Sequence, residues 1–176
     1  MPPASTPADA AAAFPSLDHL LLYRLSRLLD VAGSLVTRLC EGRYGITRRE
    51  WRLLATLARH GALSSSALAA QAQLDRARTS KALGSLVAKQ LVSRVQPAGD
   101  RRQVQVALTD AGRTLYDALF PLVAALNAEL LTCLDAGQAQ TLDAALASLQ
   151  TQAGQMVATL GDTLPKADRR RGRPAA

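Results

Sequence analysis

The apolar residues of this chain change period twice, and that constrains its fold more than any other feature. Leu21, Leu25, Leu28, Ala32, Leu35 and Leu39 recur at spacings of 4, 3, 4, 3 and 4, the stripe of a long helix that packs lengthwise on another. Near Leu91 the period drops to two: Val104, Val106 and Leu108 alternate with Gln103, Gln105 and Ala107, as in a strand with one buried face. The helical period then returns in Leu115, Leu119, Leu122 and Leu126. It returns again, at 4-3-4-3-4, in Leu142, Leu146, Leu149, Ala153, Met156 and Leu160. The expected fold is therefore mainly α with a small β-hairpin.

Local punctuation places the elements. The first helix is expected over Leu17 to Glu41, ended by Gly42 and Gly45. Thr47 with Glu50 three residues later forms a capping box for a second helix, whose apolar face is Trp51, Leu54, Leu57 and Ala58 and which stops at His60-Gly61. Ser64-Ser65-Ser66 opens a short third helix through Gln73, with Leu68 and Ala69 inward. Asp75 caps a fourth, Arg76 to Lys89, with Leu83, Leu86 and Val87 toward the core. Joined tightly at Leu74-Asp75, these two have the form of a helix-turn-helix. Strands Leu91 to Gln96 and Gln103 to Leu108 flank Pro97-Ala98-Gly99-Asp100-Arg101-Arg102, a hairpin with a charged tip. Thr109 caps a fifth helix, in which Pro121 predicts a kink, and a sixth runs from Ala136 to Leu160 before Gly161 and Pro165. The chain thus divides into a leader (1–16), a first dimerisation helix (17–46), a winged helix-turn-helix (47–109), two further dimerisation helices (110–160) and a basic tail (161–176) too polar to fold alone.

Charge is the second constraint. Lys and Arg number 21 against 14 Asp and Glu, a net +7 that suits a polyanionic partner. It is concentrated: Arg76 to Arg102 carries +6 and Lys166 to Arg173 carries +4, so the remainder is acidic. Aromatics at 3% are too few for base-stacking platforms. Cys40 and Cys133 make no disulfide framework and have no metal-ligand spacing, which points to a reducing cytosol with no metal or cofactor. No apolar run approaches a membrane span, and the Ala- and Pro-rich leader lacks the form of a signal peptide. His19 and His60 lie far apart, phosphate-loop and dinucleotide motifs are missing, and no base lies near the Ser64 run, so an enzyme is not expected.

Helix-turn-helix plus charged hairpin makes a winged domain, with the fourth helix suited to a major groove and the wing to the neighbouring minor groove. Arg76, Arg78, Thr79, Ser80 and Lys81 fall on that helix's first turns, where cations donate to guanine and hydroxyls bond base edges or phosphates. Arg101 and Arg102 occupy the wing tip, with Asp100 to orient a guanidinium. Ser64, Ser65 and Ser66 add phosphate contacts.

The run Leu91-Val92-Ser93-Arg94, followed by Asp100-Arg101-Arg102 leading into Leu108-Thr109-Asp110-Ala111-Gly112, resembles the wing signature of the MarR family of bacterial regulators. The resemblance extends over Leu17 to Leu160 in the order of elements. It implies a homodimer whose first, fifth and sixth helices interlock, with two winged domains on successive major grooves of a pseudo-palindromic DNA operator. Two residues depart from the pattern. Gln90 stands where the family often has a helix-closing Gly, so a non-Gly residue is expected to take positive φ. Gly84 interrupts the recognition helix at a cost of about 1 kcal/mol relative to Ala.

The same resemblance implies a small aromatic acid as effector, bound between the dimerisation helices and the winged domain and lowering DNA affinity. The candidate lining is His19, Tyr23, Arg27, Arg43, Tyr44, Trp51 and Tyr116. A cysteine redox switch is the rival within the family: peroxide-sensing relatives carry a reactive Cys near the start of the first helix, whereas Cys40 lies near its end, where Arg43 would lower its pKa. In the tail, Arg170-Arg171-Gly172-Arg173-Pro174 resembles an AT-hook, with Arg171 and Arg173 along a minor groove; a plain polybasic tail is the simpler reading. A sequence-tolerant architectural DNA protein is the alternative to a regulator.

Overall fold

The computed structural model describes residues 13–96, 104–161 and 163–165. Two compact units make up the chain, residues 1–130 and 131–176. In the first, a 3₁₀ turn at Leu17–His19 precedes helix α1 (Leu21–Arg38), which ends in a π-turn at Leu39–Arg43. There follow α2 (Arg48–His60), β1 (Leu63–Ser64), α3 (Ser65–Gln71), α4 (Arg76–Ala88), β2 (Val92–Val95), β3 (Gln105–Leu108) and α5 (Asp110–Leu131). The second unit carries α6 (Ala136–Leu160).

Side-chain caps set most of the helix starts. Thr47 Oγ1 accepts from Glu50 N at 3.2 Å while Thr47 N donates to Glu50 Oε2 at 2.6 Å, the reciprocal box that the sequence predicts. Ser64 caps α3 by accepting from Ala67 N, and Asp75 caps α4 by accepting from Arg78 N. Thr109 Oγ1 accepts from Gly112 N and donates to Gln90 O. A second capping box, Asp135 with Gln138, opens α6. The first helix is shorter than expected because Leu20 is extended (φ −73°, ψ 122°): its N–H closes the preceding turn on Leu17 O, and α1 begins one residue later.

Both helices of the helix-turn-helix end in the same way. At α3, Gln73 N bonds Ala70 O and Leu74 N bonds Ala69 O; at α4, Gln90 N bonds Val87 O and Leu91 N bonds Leu86 O. These 5→2 and 6→1 pairs are Schellman closures, and the C′ residue of each is a left-handed glutamine, Gln73 at φ 51° and Gln90 at φ 57°. Gln90 is as the sequence predicts, whereas Gln73 carries no sequence signal.

The sheet has order β1-β3-β2 and is antiparallel, with Leu63 opposite Val106 and Val92 opposite Leu108. Sequence periodicity cannot show β1, since two residues have no period. Leu53, Leu54, Leu57, Leu68, Leu86, Val106 and Leu119 are the buried centre, joined by Cys40 and Ile46. Burying each such aliphatic side chain contributes about 1.5–3 kcal/mol. Two expected core positions move. Leu53 enters in place of Ala58, which with Trp51 is only half-buried, and Val87 is 37% exposed because α4 turns Ala82, Leu83 and Leu86 inward.

Helix α5 is long and apolar enough to cross a membrane by length and composition, which corrects the expectation that no stretch of the chain is. Gly112 and Leu119 are its buried residues, and Gly112 lies against the Leu91 carbonyl so closely that a Cβ would overlap it. Pro121 lies inside α5. The stripe of α1 is largely outward, with Leu21, Leu28 and Leu35 each close to half-exposed and Gly33 its one buried residue. Helix α6 has no buried residue, and Leu142, Leu149, Met156 and Leu160 of its stripe are exposed.

Candidate nucleic-acid interface

The tight turn from α3 to α4 follows from the Gln73 closure and the Asp75 cap, which between them leave no slack residue in the connection. Ser65 and Ser66 at the start of α3, Arg76 and Ser80 on α4, and Arg94 on β2 consequently line one groove of about 410 Å³. All five are exposed. Sequence reasoning does not single out Arg94. It belongs to the basic block, but only the sheet register, which pairs Arg94 with Val106, turns it onto the face of α4.

Thr79 is a correction. It lies on the first turns of α4, as expected, but it is 2% exposed and its Oγ1 has no hydrogen-bond partner among the described residues. The residues one helical turn on, Ala82 and Leu83, are in the core, and Thr79 shares their face. It lines the same groove as Arg76 and Ser80, with its side chain almost wholly covered. Ser64 is half-buried and its hydroxyl is occupied as the α3 cap, with Ser66 Oγ 3.1 Å away.

Arg78 and Lys81 diverge from Arg76 and Ser80. They line a cleft of about 160 Å³ on the α2 side of α4, with Arg49 and Ser85. Arg78 Nε is 3.1 Å from Asp75 Oδ2, so the carboxylate that caps α4 also orients this guanidinium. At the other end of α4, Lys89 Nζ is 3.0 Å from both Glu50 oxygens and donates to Gly45 O at 2.8 Å. Glu50 is buried, which pushes its pKa up; bonds from the Ser85 hydroxyl, Thr47 N–H and Lys89 outweigh this and hold the carboxyl below its ordinary range. The recognition helix is thereby tied to the N-terminus of α2.

Asp100, Arg101 and Arg102 at the wing, and Arg171 and Arg173 in the tail, lie outside the described residues.

The seven expected effector residues separate into two groups. His19 Nδ1 is 2.7 Å from Ser16 Oγ, and Arg27 pairs with Asp18 at 3.0 Å while lying over the Tyr23 ring, all at the start of α1. The others gather on α5: Tyr44 Oη donates to Ala118 O, Arg43 lies over the Tyr44 ring, and Trp51 stacks on Tyr116 with centroids 5.6 Å apart. The aromatic rings are thus already engaged by the protein. A cavity of about 410 Å³ opens instead between α1 and α5, walled by Leu29, Gly33, Val36, Val123 and Leu126, with Arg48, Asn127 and Glu129 as its polar lining. A Cβ on Gly33 would run into the Arg48 guanidinium, so glycine is what admits that group to the helix surface. Sequence reasoning misses Arg48 because nothing local distinguishes it from Arg49.

Cys40 is fully buried, and that burial raises its pKa against the opposing influence of Arg48, while Glu41 adds to the rise. The expectation of a thiol activated by Arg43 is therefore corrected: the cation acting on the sulfur is Arg48, and desolvation wins.

Residues 44–103 match the family model for the MarR family. The chain is similar to the HTH-type transcriptional regulator FarR of Neisseria gonorrhoeae, 36% identical over 74 residues, 42% of this chain and 51% of FarR. It is also similar to the HTH-type transcriptional repressor NicR of Pseudomonas putida, 31% identical over 93 residues, 53% of this chain and 59% of NicR. The chain thus spans little more than half the length of these relatives. In fold it is similar to Bordetella bronchiseptica BpsR, whose DNA binding is regulated by 6-hydroxynicotinic acid, with a TM-score of 0.60 at 21% identity, covering 72% of this chain and 98% of that one. The likeness to the MarR family is thus carried by the winged segment, residues 44–103.

Proposed function

We propose that the protein is a transcriptional regulator, not an enzyme, that binds duplex DNA as a homodimer in the bacterial cytoplasm and is released by a small aromatic carboxylic acid. The observation that carries the DNA reading is the groove that gathers Arg76, Ser80, Arg94, Ser65 and Ser66 from three elements onto one exposed face. Cations and hydroxyls there suit a duplex, with Arg76 and Ser80 toward base edges and Ser65, Ser66 and Arg94 toward phosphates. Two outward apolar stripes, on α1 and α6, favour a dimer, and a dimer suits half-sites one helical turn apart. Repression by promoter occlusion is the simplest mode for so small a protein, and NicR is named a repressor.

Footprinting tests the reading. One protected pseudo-palindrome is expected, and Arg76→Ala should relax base preference at one position per half-site by about 1–3 kcal/mol. Diffuse coverage without a preferred site would instead mean an architectural protein.

For the effector, the α1–α5 cavity with Arg48 replaces the ring cluster as the favoured site, because it joins an apolar wall to a guanidinium, with Asn127 and the carboxylate of Glu129 also on its lining. The BpsR likeness makes 6-hydroxynicotinic acid the first compound to try. Thermal stabilisation by the acid and release of DNA, both lost in Arg48→Gln, are expected. Stabilisation that persists in the variant would remove Arg48 from the site, and binding without DNA release would remove the regulatory role.

A further inference from the structure

The α2 side of α4 holds more positive charge than the groove on its other side. A crevice of about 430 Å³ there is lined by Arg48, Arg49, Arg52 and Arg78 together with Glu41. The adjoining 160 Å³ cleft shares Arg49 and Arg78 and adds Lys81 and Glu50. The carboxylate Glu50 is already taken by Lys89, and Arg78 by Asp75. Arg48 directs its guanidinium at Gly33. Among the described residues Arg49, Arg52 and Lys81 make no ion pair; Arg52 makes one long contact, 3.5 Å, to Ala72 O. Arg49 and Arg52 line the crevice and Arg49 and Lys81 the adjoining cleft; the arginines of the crevice outnumber its carboxylate, Glu41, and an anion of more than one charge would relieve their repulsion. Guanidinium forks match the oxygens of a phosphate with paired N–H donors, which a lone ammonium cannot do.

We infer that the crevice between α2 and the first turns of α4 is a phosphate-binding site, in which Arg49 and Arg52 donate to phosphate oxygens and Arg78 and Lys81 close it from the recognition helix. The phosphate has two sources. A DNA backbone phosphate would extend the contact surface from α4 onto α2, and this arm rests on the DNA-binding reading above. A free di- or polyphosphate compound would engage Arg78 and Lys81 from the side and compete with DNA for them; this arm stands without that reading.

The test uses the full chain, with Arg49→Gln and the Arg49→Gln/Arg52→Gln pair. Arg49 is exposed and makes no side-chain bond among the described residues, so its variant should melt as the parent does and guards against misfolding of the pair. Inorganic pyrophosphate is titrated by calorimetry without DNA, and the salt dependence of affinity is measured on a random-sequence duplex. Loss of pyrophosphate affinity by about tenfold in the pair, with an unchanged salt slope, identifies a free phosphate compound. A slope shallower by about 2 in the pair, with no pyrophosphate binding by the parent, identifies backbone phosphates. Movement of both means that the two compete for the site. Unchanged pyrophosphate behaviour together with an unchanged slope overturns the proposal. Should the parent bind no duplex at all, the regulator reading fails while the pyrophosphate titration still decides the crevice.

Discussion

Gly112, Gly84 and Gln90 show how different the demands on single positions are along one short stretch. At Gly112 a side chain would overlap the Leu91 carbonyl, which also accepts from Thr109 N, so the Leu-Thr-x-x-Gly run encodes a helix start pressed onto the end of α4. Gly112→Ala should cost at least about 3 kcal/mol, read from chemical denaturation, since backbone has to move to make room. Gly84 is the opposite case. A Cβ there would meet nothing within 4 Å, so Gly84→Ala should stabilise by about 0.5–1 kcal/mol, and Gln90→Gly, by relieving a left-handed glutamine, should do likewise. Both variants melting at or below the parent would contradict these assignments. Glu50 supplies a pH signature. Its folded pKa lies below the ordinary 4.5, so the stability it contributes is complete above that value and is lost as pH falls through the depressed one. Glu50→Gln should lower stability at neutral pH, and its deficit should shrink below about pH 4.5; parallel stability curves down to about pH 3 would sink the claim.

At the scale of elements, the helix-turn-helix is legible because each boundary has a side-chain reason: Ser64, Asp75 and Thr109 cap, and His60-Gly61 stops α2. Phase is less legible. The pattern on α4 permits Val87 inside and Thr79 outside, and the structure has the reverse, because the face of a helix that turns inward is chosen by the neighbours it meets. Strand β1 likewise exists only through its pairing with β3. The stripes of α1 and α6 are readable at full length, and their exposure argues that they serve an interface between copies. Leu28→Glu with Leu35→Glu should therefore convert a dimer to a folded monomer in sedimentation, since both side chains are only about half-covered within one chain. A parent that sediments as a monomer at micromolar concentration would end that proposal.

For the molecule taken entire, the governing quantity is where the +7 lies. Within the described residues the basic block divides across α4, with Arg76 and Arg94 on one side and Arg78 and Lys81 on the other beside the arginines of α2. The +4 of the tail lies outside the described residues. Deleting residues 166–176 should lower DNA affinity and flatten its salt dependence while leaving site preference unchanged, and an unaltered slope would show that the tail does not touch DNA. Everything legible in the chain alone was local: periods, caps, the winged order of elements and the total charge, each of which acts over a few residues or is a plain sum. Convergence needed the folded molecule. Which arginines share a groove, that Gly33 admits Arg48 to a cavity on α1, that Thr79 and Cys40 are shut away, and that Glu50 holds the end of the recognition helix all depend on segments distant in sequence meeting in space, where burial and Coulomb terms between them first take effect.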